Sequence, residues 1–256
     1  MTTVHNPNKA CCSIPPVQAE YTAKGTYKSH GAFDRAYVTG DNSETALIIV
    51  YDIFGYFPQT LQGADILAKT LGVQVFMPDF FGEGNTFDIK KFPPKTDQDK
   101  KDIQDFFGGV GSPPPAATRL VDFAHGLKRE GFKKIGALGY CWGGKVVIMG
   151  ALTEGNPLDA ISIVHPAMIS SKDAEGLSVP SGIYFSKDES REEFDKIVDV
   201  LSKKSFSAKV DSKYYSNMFH GWAAARGNLS DPENKREYED LYSRAAAFFT
   251  NALALV

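Results

Sequence analysis

Cysteine is scarce in this chain: three residues in 256, with Cys11 and Cys12 adjacent and Cys141 far from both. An odd, unevenly spread count excludes a disulfide scaffold and reads as free thiols in a reducing compartment. Cys11 and Cys12 would admit acylation or a metal, but no second ligand cluster accompanies them, so they read as unpaired thiols on an N-terminal arm, residues 1–23. Neither sign of charge dominates. Lys+Arg total 28 and Asp+Glu 31, a net −3 that excludes a strongly basic nucleic-acid binder and an acidic disordered chain. Long apolar runs are also missing. The best candidate, Ala46–Tyr51, falls far short of the ~18–20 residues a membrane span needs. The start of the chain carries no apolar signal core, Thr2 stands where myristoylation needs Gly, and the C-terminal residues are not a prenylation box. The expectation is a cytoplasmic protein without membrane or nucleic-acid partners. No H-x-x-E-H, H-E-x-x-H or C-x-x-C spacing occurs, so no metal or cofactor is implied. The glycines at 82–84 and 108–111 lack the strand and Lys-Ser/Thr of a phosphate loop.

What is present is a regular alternation. Residues 24–39 predict an antiparallel pair turning around Ser29-His30-Gly31. Ala46–Tyr51 is a continuous apolar run, the pattern of a strand buried on both faces. Leu61–Leu71 carries a helical apolar stripe stopped by Gly72. Further strands are predicted at Val73–Met77, Ile135–Tyr140, Ala160–Val164, Gly182–Ser186 and Ala208–Tyr215. Helices are predicted at Gln98–Phe107, Ala116–Arg129, Gly144–Leu152, Glu192–Lys203 and Glu233–Ala254. Residues 82–98 read as an irregular excursion. Such alternation calls for one α/β domain across 1–256: a mostly parallel central sheet flanked by helices, with no separate lid domain. In such sheets ligands sit beyond the carboxyl ends of the strands.

Beyond the third buried strand stands Gly139-Tyr140-Cys141-Trp142-Gly143-Gly144, followed by an apolar helix. This is a nucleophile elbow with Cys in place of Ser. Side chains two residues before and after the nucleophile would collide with strand and helix, hence the glycines. The helix N-terminus favours the thiolate, and the Trp142 N–H points to where an oxyanion would develop. This fold orders its triad as nucleophile, acid, His. His220, in Met218-Phe219-His220-Gly221-Trp222 after the last strand, is the candidate base. Asp188, after the strand Gly182–Ser186, is the candidate acid, with Glu189 its nearest competitor and a helix N-cap its structural alternative. His165, directly after Ala160–Val164, falls on the same face as a candidate substrate contact or a hydrogen-bonded structural residue.

Together with Tyr51-Asp52-Ile53-Phe54-Gly55, these motifs resemble the dienelactone hydrolase family of α/β-hydrolases, in a fungal-type version, from about Tyr27 to the terminal helix. The resemblance implies an α/β-hydrolase fold, no cofactor and a small ester or lactone substrate. It implies that Asp52 takes the place of a glutamate that gates the resting thiol, one methylene shorter, and that the Ile53 N–H completes the oxyanion hole. It also implies that Arg226 binds a substrate carboxylate. A second arginine expected after Pro78-Asp79 is absent, with Glu83 in that stretch instead, which leaves room for a different ester or lactone. Trp142, Trp222 and Phe81 are among the aromatics expected around substrate.

The reading is a cysteine-dependent ester or lactone hydrolase, carboxymethylenebutenolidase-like, with Cys141, Asp188 and His220 as triad. Two rivals are a non-hydrolytic isomerase, acyl-transfer or ligand-binding role on the same fold, and a redox role for Cys141 with Cys11 or Cys12 as resolving thiol.

Overall fold

The computed structural model describes residues 14–255 apart from 16 and 42, so Cys11 and Cys12 lie outside the described residues. The chain enters through a hairpin, β1 (Thr26–His30) and β2 (Phe33–Thr39), whose turn is Gly31-Ala32. From there strands and helices alternate: β3 (Thr45–Val50), α1 (Pro58–Leu71), β4 (Gln74–Pro78), α2 (Asp97–Gly108), α3 (Pro113–Arg129), β5 (Lys134–Tyr140), α4 (Trp142–Leu152), β6 (Ala160–Val164), α5 (Ser171–Glu175), β7 (Ser181–Ser186), α6 (Arg191–Ser202), β8 (Asp211–Tyr215) and α7 (Pro232–Ala252).

These strands form one eight-stranded sheet in the order β1-β2-β4-β3-β5-β6-β7-β8. From β4 to β8 every pairing is parallel; the antiparallel hairpin is confined to one edge. All of Thr45–Val50 is buried, as an unbroken apolar run predicts for a central strand covered on both faces. Each such Ile, Leu or Val contributes about 1.5–3 kcal/mol when withdrawn from water.

Predicted and observed elements differ mainly at their ends. Pro58 and Pro113 sit in the first turns of α1 and α3, where the missing N–H costs nothing, so both helices begin three residues before their predicted starts. The last strand starts three residues later than predicted, because residues 207–209 form a 3-10 turn. The short helix α5 has no apolar period to announce it; a reciprocal cap between Ser170 and Asp173 holds it.

Strand direction decides where chemistry gathers. The parallel strands β3, β5, β6, β7 and β8 all end on one edge of the sheet, and each is followed there by a polar residue or thiol: Asp52, Cys141, His165, the pair Asp188-Glu189, and His220.

Candidate active site

Cys141 sits at a strained corner, with φ +53° and ψ −116°, between β5 and α4. Non-glycine residues held at positive φ cost roughly 1–3 kcal/mol and persist where surrounding structure over-determines them. Here the surroundings are two glycines. A Cβ on Gly143 would lie 2.2 Å from the Val50 carbonyl oxygen, and one on Gly139 would lie 2.2 Å from the Gly143 oxygen. Backbone bonds clamp the corner from the neighbouring strand: Cys141 N–H donates to Val164 O (3.0 Å) and Ala167 N–H to Cys141 O (3.0 Å). The thiol residue is the N-cap of α4, beside helix N–H groups that lack helical acceptors.

A cavity of about 10 Å³, the space of one water, is lined by Cys141, His220, Gly221, Asp52, Ile53, Phe54 and Phe92. Ile53 and Cys141 thus share the cavity, as the expected oxyanion pairing of Ile53 and Trp142 amides requires. His220 is mostly buried. Burial by itself would lower its pKa, but negative charge on Cys141 and on Glu189 outweighs burial and pushes it up to about 10.

The acid at the ring is Glu189, not the favoured Asp188. Glu189 Oε1 lies 2.6 Å from His220 Nδ1, and its other oxygen accepts from Ser186 N–H at 2.5 Å. Asp188 Oδ2 accepts instead from the backbone N–H of His220 at 2.8 Å. The cause is reach. The chain turns tightly after β7, with Glu189 N–H on Ser186 O, and only the longer side chain folds back to the ring. Asp188 is not the cap of α6 either; Ser190 is, accepting from Glu193 N–H.

Asp52 is fully buried, and both its oxygens accept backbone hydrogen bonds. Oδ1 accepts from Phe54 N–H (2.9 Å) and Oδ2 from Ala225 N–H (3.2 Å). These bonds brace the loop after β3 to the loop that carries His220, while Asp52 also lines the cavity shared with Cys141. A carboxylate one methylene shorter than glutamate settles on the nearest amides. Burial pushes its pKa up to about 6, with the two N–H donors opposing.

Arg226 is half-buried beside the His220 loop. It donates through Nη1 to His220 O, and its guanidinium sits 5.0 Å from the Phe92 ring and 5.2 Å from the Phe219 ring. It has no carboxylate partner among the described residues. Phe92, which sequence reasoning left inside an irregular excursion, roofs the site. Its ring is 5.6 Å from Phe54 and 6.5 Å from His220. No periodicity could have singled it out.

Two expected substrate contacts lie elsewhere. Trp222 is wholly buried, its ring 4.5 Å from Tyr215, and does not line the cavity; the turn at Gly221 sends it into the core beneath the His220 loop. Phe81 packs against Trp142 (4.6 Å) and Phe106 (5.2 Å), and with Glu83 borders a separate cleft beside Arg35 and Arg119. The Trp142 side chain is likewise fully buried, its Nε1 donating to Gly111 O at 2.7 Å, so its backbone alone is left for chemistry.

His165 is completely buried at φ +36°, and its ring lies 5.2 Å from the His220 ring at 63°. Neither of its nitrogens has a partner among the described residues. Burial, with the charge of His220 beside it, holds it well below the usual histidine range, so it is neutral. Among the described residues no cluster of His, Cys, Asp and Glu could hold a metal ion, and no helix is long and apolar enough to cross a membrane.

Comparison with known proteins agrees with the fold. The chain is 33% identical over 238 residues to an uncharacterized AIM2 family protein of Schizosaccharomyces pombe, covering 91% of this chain and 93% of the relative. It is 27% identical to a carboxymethylenebutenolidase homolog of Xenopus tropicalis, covering 91% and 94%. The fold matches the crystal structure of dienelactone hydrolase from Anabaena variabilis with TM-score 0.60 at 14% identity, covering 90% and 98%. The model of the dienelactone hydrolase family matches residues 33–253, and the chain belongs to that family.

Proposed function

We propose that this protein hydrolyses an ester or lactone of a small molecule through a covalent thioester on Cys141. The observation that carries the reading is the line Cys141–His220–Glu189 at the edge of the sheet, with the ring nitrogen 2.6 Å from the carboxylate. The thiolate attacks the carbonyl carbon, and the Trp142 and Ile53 amides receive the developing oxyanion. His220 gives its proton to the leaving alcohol or enol, and Glu189 holds the ring and stabilises its charged form. Water then attacks the thioester with His220 as base. Asp188 positions the backbone of the His220 loop. Arg226, a cation held on the His220 carbonyl and beside Phe92 without a carboxylate partner among the described residues, suits a substrate that carries one. No cofactor enters this chemistry, one domain carries all of it, and a free thiol nucleophile suits a reducing compartment such as the cytoplasm.

The test is turnover of a panel of p-nitrophenyl esters and enol lactones by wild type, Cys141→Ala and His220→Ala. Turnover in wild type with loss in both variants supports the proposal. No turnover of any panel member, with a small molecule found bound by mass spectrometry, would replace hydrolysis by ligand binding.

A further inference from the structure

We propose that residues 88–108 form a flap that covers Cys141 at rest and lifts to admit substrate. That an ester or lactone is what enters rests on the hydrolase reading above; the movement itself does not. Four observations carry it.

The closed state comes first. The cavity at Cys141 has a volume of about 10 Å³, whereas sites that enclose a small molecule span about 300–1,000 Å³. No ester fits until part of the wall moves. Asp52, Ile53, Phe54, Cys141 and Gly221 are buried in the domain, and His220 is held by Glu189 and Asp188. Phe92 is the lining residue that is neither buried nor bonded to the body of the domain.

Attachment is the second. From residue 88 to residue 110 no side chain is buried. Among the described residues no ion pair joins 88–108 to the rest of the chain. No hydrogen bond does so either, apart from the turn in which the N–H groups of Gly109 and Gly111 return to Phe106 O. The segment leans on the body through half-buried apolar side chains. Phe92 packs on Phe54 (5.6 Å) and beside the Arg226 guanidinium (5.0 Å), and Phe106 packs on Phe81 (5.2 Å). Segments with so little burial are the ones that open locally while the core stays folded.

Internal bracing is the third. Lys91 Nζ lies 2.6 Å from Asp102, which ties the 3-10 turn Ile89–Lys91 to α2. Thr96 and Asp99 cap α2 reciprocally, and Lys100–Asp97 and Lys101–Asp105 pair along it. These bonds all lie inside the segment, so they persist when it swings and let it move as one piece.

The two feet are the fourth. Phe87, just before the segment, is buried and donates its N–H to Ile53 O at 2.9 Å. Gly111, just after it, accepts from Trp142 Nε1 at 2.7 Å. Ile53 and Trp142 are the residues whose amides are proposed to receive the oxyanion. The flap is thus pinned to the site at both ends and free in the middle, with Gly108 and Gly109 before the second foot to absorb the swing. Lifting parts Phe92 from Phe54, and both rings then face the apolar part of whatever enters.

Iodoacetamide supplies a wedge. The Cys141 sulfur displaces iodide, the thiol proton passes to solvent, and the attached carboxamidomethyl group is too large for a space that holds one water. Protein alkylated in native buffer, with Cys141 modification confirmed by peptide mass analysis, would be compared with unmodified protein by hydroxyl-radical footprinting. Oxidation of Phe92 and Phe106 should rise by about twofold or more, while Phe76 in β4 and Phe123 in α3 stay unchanged. Phe106 does not line the cavity, so its exposure reports movement of the flap and not the adduct beside it. Cys141→Ala taken through the same treatment should keep the unmodified pattern. Unchanged oxidation of Phe92 and Phe106 in the alkylated protein would overturn the inference. So would a rise shared by Phe76 and Phe123, which marks loosening of the whole domain. A Cys141 that reacts only after denaturant is added would mean that the flap does not lift, and would overturn it too. None of these readings uses ester turnover. A protein that hydrolyses no ester can still show the flap, and a hydrolase without one fails here alone.

Discussion

Glu189 Oε1 lies 2.6 Å from His220 Nδ1, whereas the carboxylate of Asp188, one residue earlier, binds the backbone N–H of the same histidine at 2.8 Å. Two adjacent acids thus hold the His220 loop in different ways, one through its ring and one through its main chain. Separating them is the most direct test of the site. Glu189→Gln should lower kcat by about 10²–10⁴-fold, the range for loss of a triad carboxylate. Asp188→Asn should cost about tenfold or less. Steady-state kinetics of the two variants side by side decides the assignment, and the reverse ranking would return Asp188 to the triad.

The pH profile follows from the same pair. His220 is held protonated up to about 10 by negative charge on Cys141 and Glu189 acting against burial. In the proposed mechanism the protonated ring is the acid for the leaving group. Raising pH through about 10 removes that proton, so kcat/KM should fall along an alkaline limb there. In Glu189→Gln one of the two supporting charges is gone, and the limb should move to lower pH. An alkaline limb that stays put in the variant would show that Glu189 does not hold the proton.

Reactivity of the thiol distinguishes Cys141 from its two namesakes. Substoichiometric iodoacetamide followed by peptide mass analysis should label Cys141 ahead of Cys11 and Cys12, and Cys141→Ala should lose ester turnover by at least about 10³-fold. Equal labelling of all three thiols would count against an activated nucleophile.

Asp52 as a brace and Asp52 as a gate make opposite forecasts. Braced to Phe54 and Ala225, its replacement by Asn should leave the Cys141 alkylation rate within about twofold while lowering stability by about 1–3 kcal/mol. A gate would instead show faster alkylation on removal. Stability carries a sign as well. A carboxyl raised by burial from 3.8 to about 6 contributes stability that is full below its unfolded value and lost as pH rises through about 6. Denaturant melts from pH 4 to pH 7 should therefore show wild type losing stability over that window relative to Asp52→Asn.

Phe92 closes a cavity that has room for about one water. Phe92→Ala should widen acceptance of bulky acyl groups, with lower KM for longer p-nitrophenyl esters and little change in kcat for the acetate. An unchanged chain-length profile would mean that substrate enters past another side chain.

Much of the fold and the strand–helix corner at Cys141 was legible in the primary structure because each rests on local sterics. The apolar run at Ala46–Tyr51 can be satisfied only in a doubly covered strand. Gly139 and Gly143 are the residues that let strand and helix close around Cys141, and that need is written at a fixed spacing on either side of it. His220 followed from chain order once the elbow was placed. Helix starts at Pro58 and Pro113 were harder, since the same residue ends one helix and opens another.

Other features depend on which way a side chain turns after a strand ends. Composition and spacing do not distinguish Asp188 from Glu189, because the choice hangs on a tight turn and one methylene of reach. Asp52 illustrates the same limit from the other side: being shorter than glutamate, it settles on two amides, one of them 173 positions away in the chain. Trp222 sits two positions from His220 in sequence yet faces the core, and Phe92 lies in a segment without periodicity yet lines the cavity at Cys141. Local chain chemistry thus determined that this protein would place a cysteine at a strained strand–helix corner in a parallel sheet. Only tertiary packing decided what surrounds it, because those neighbours are chosen by distance in space, which sequence order does not encode.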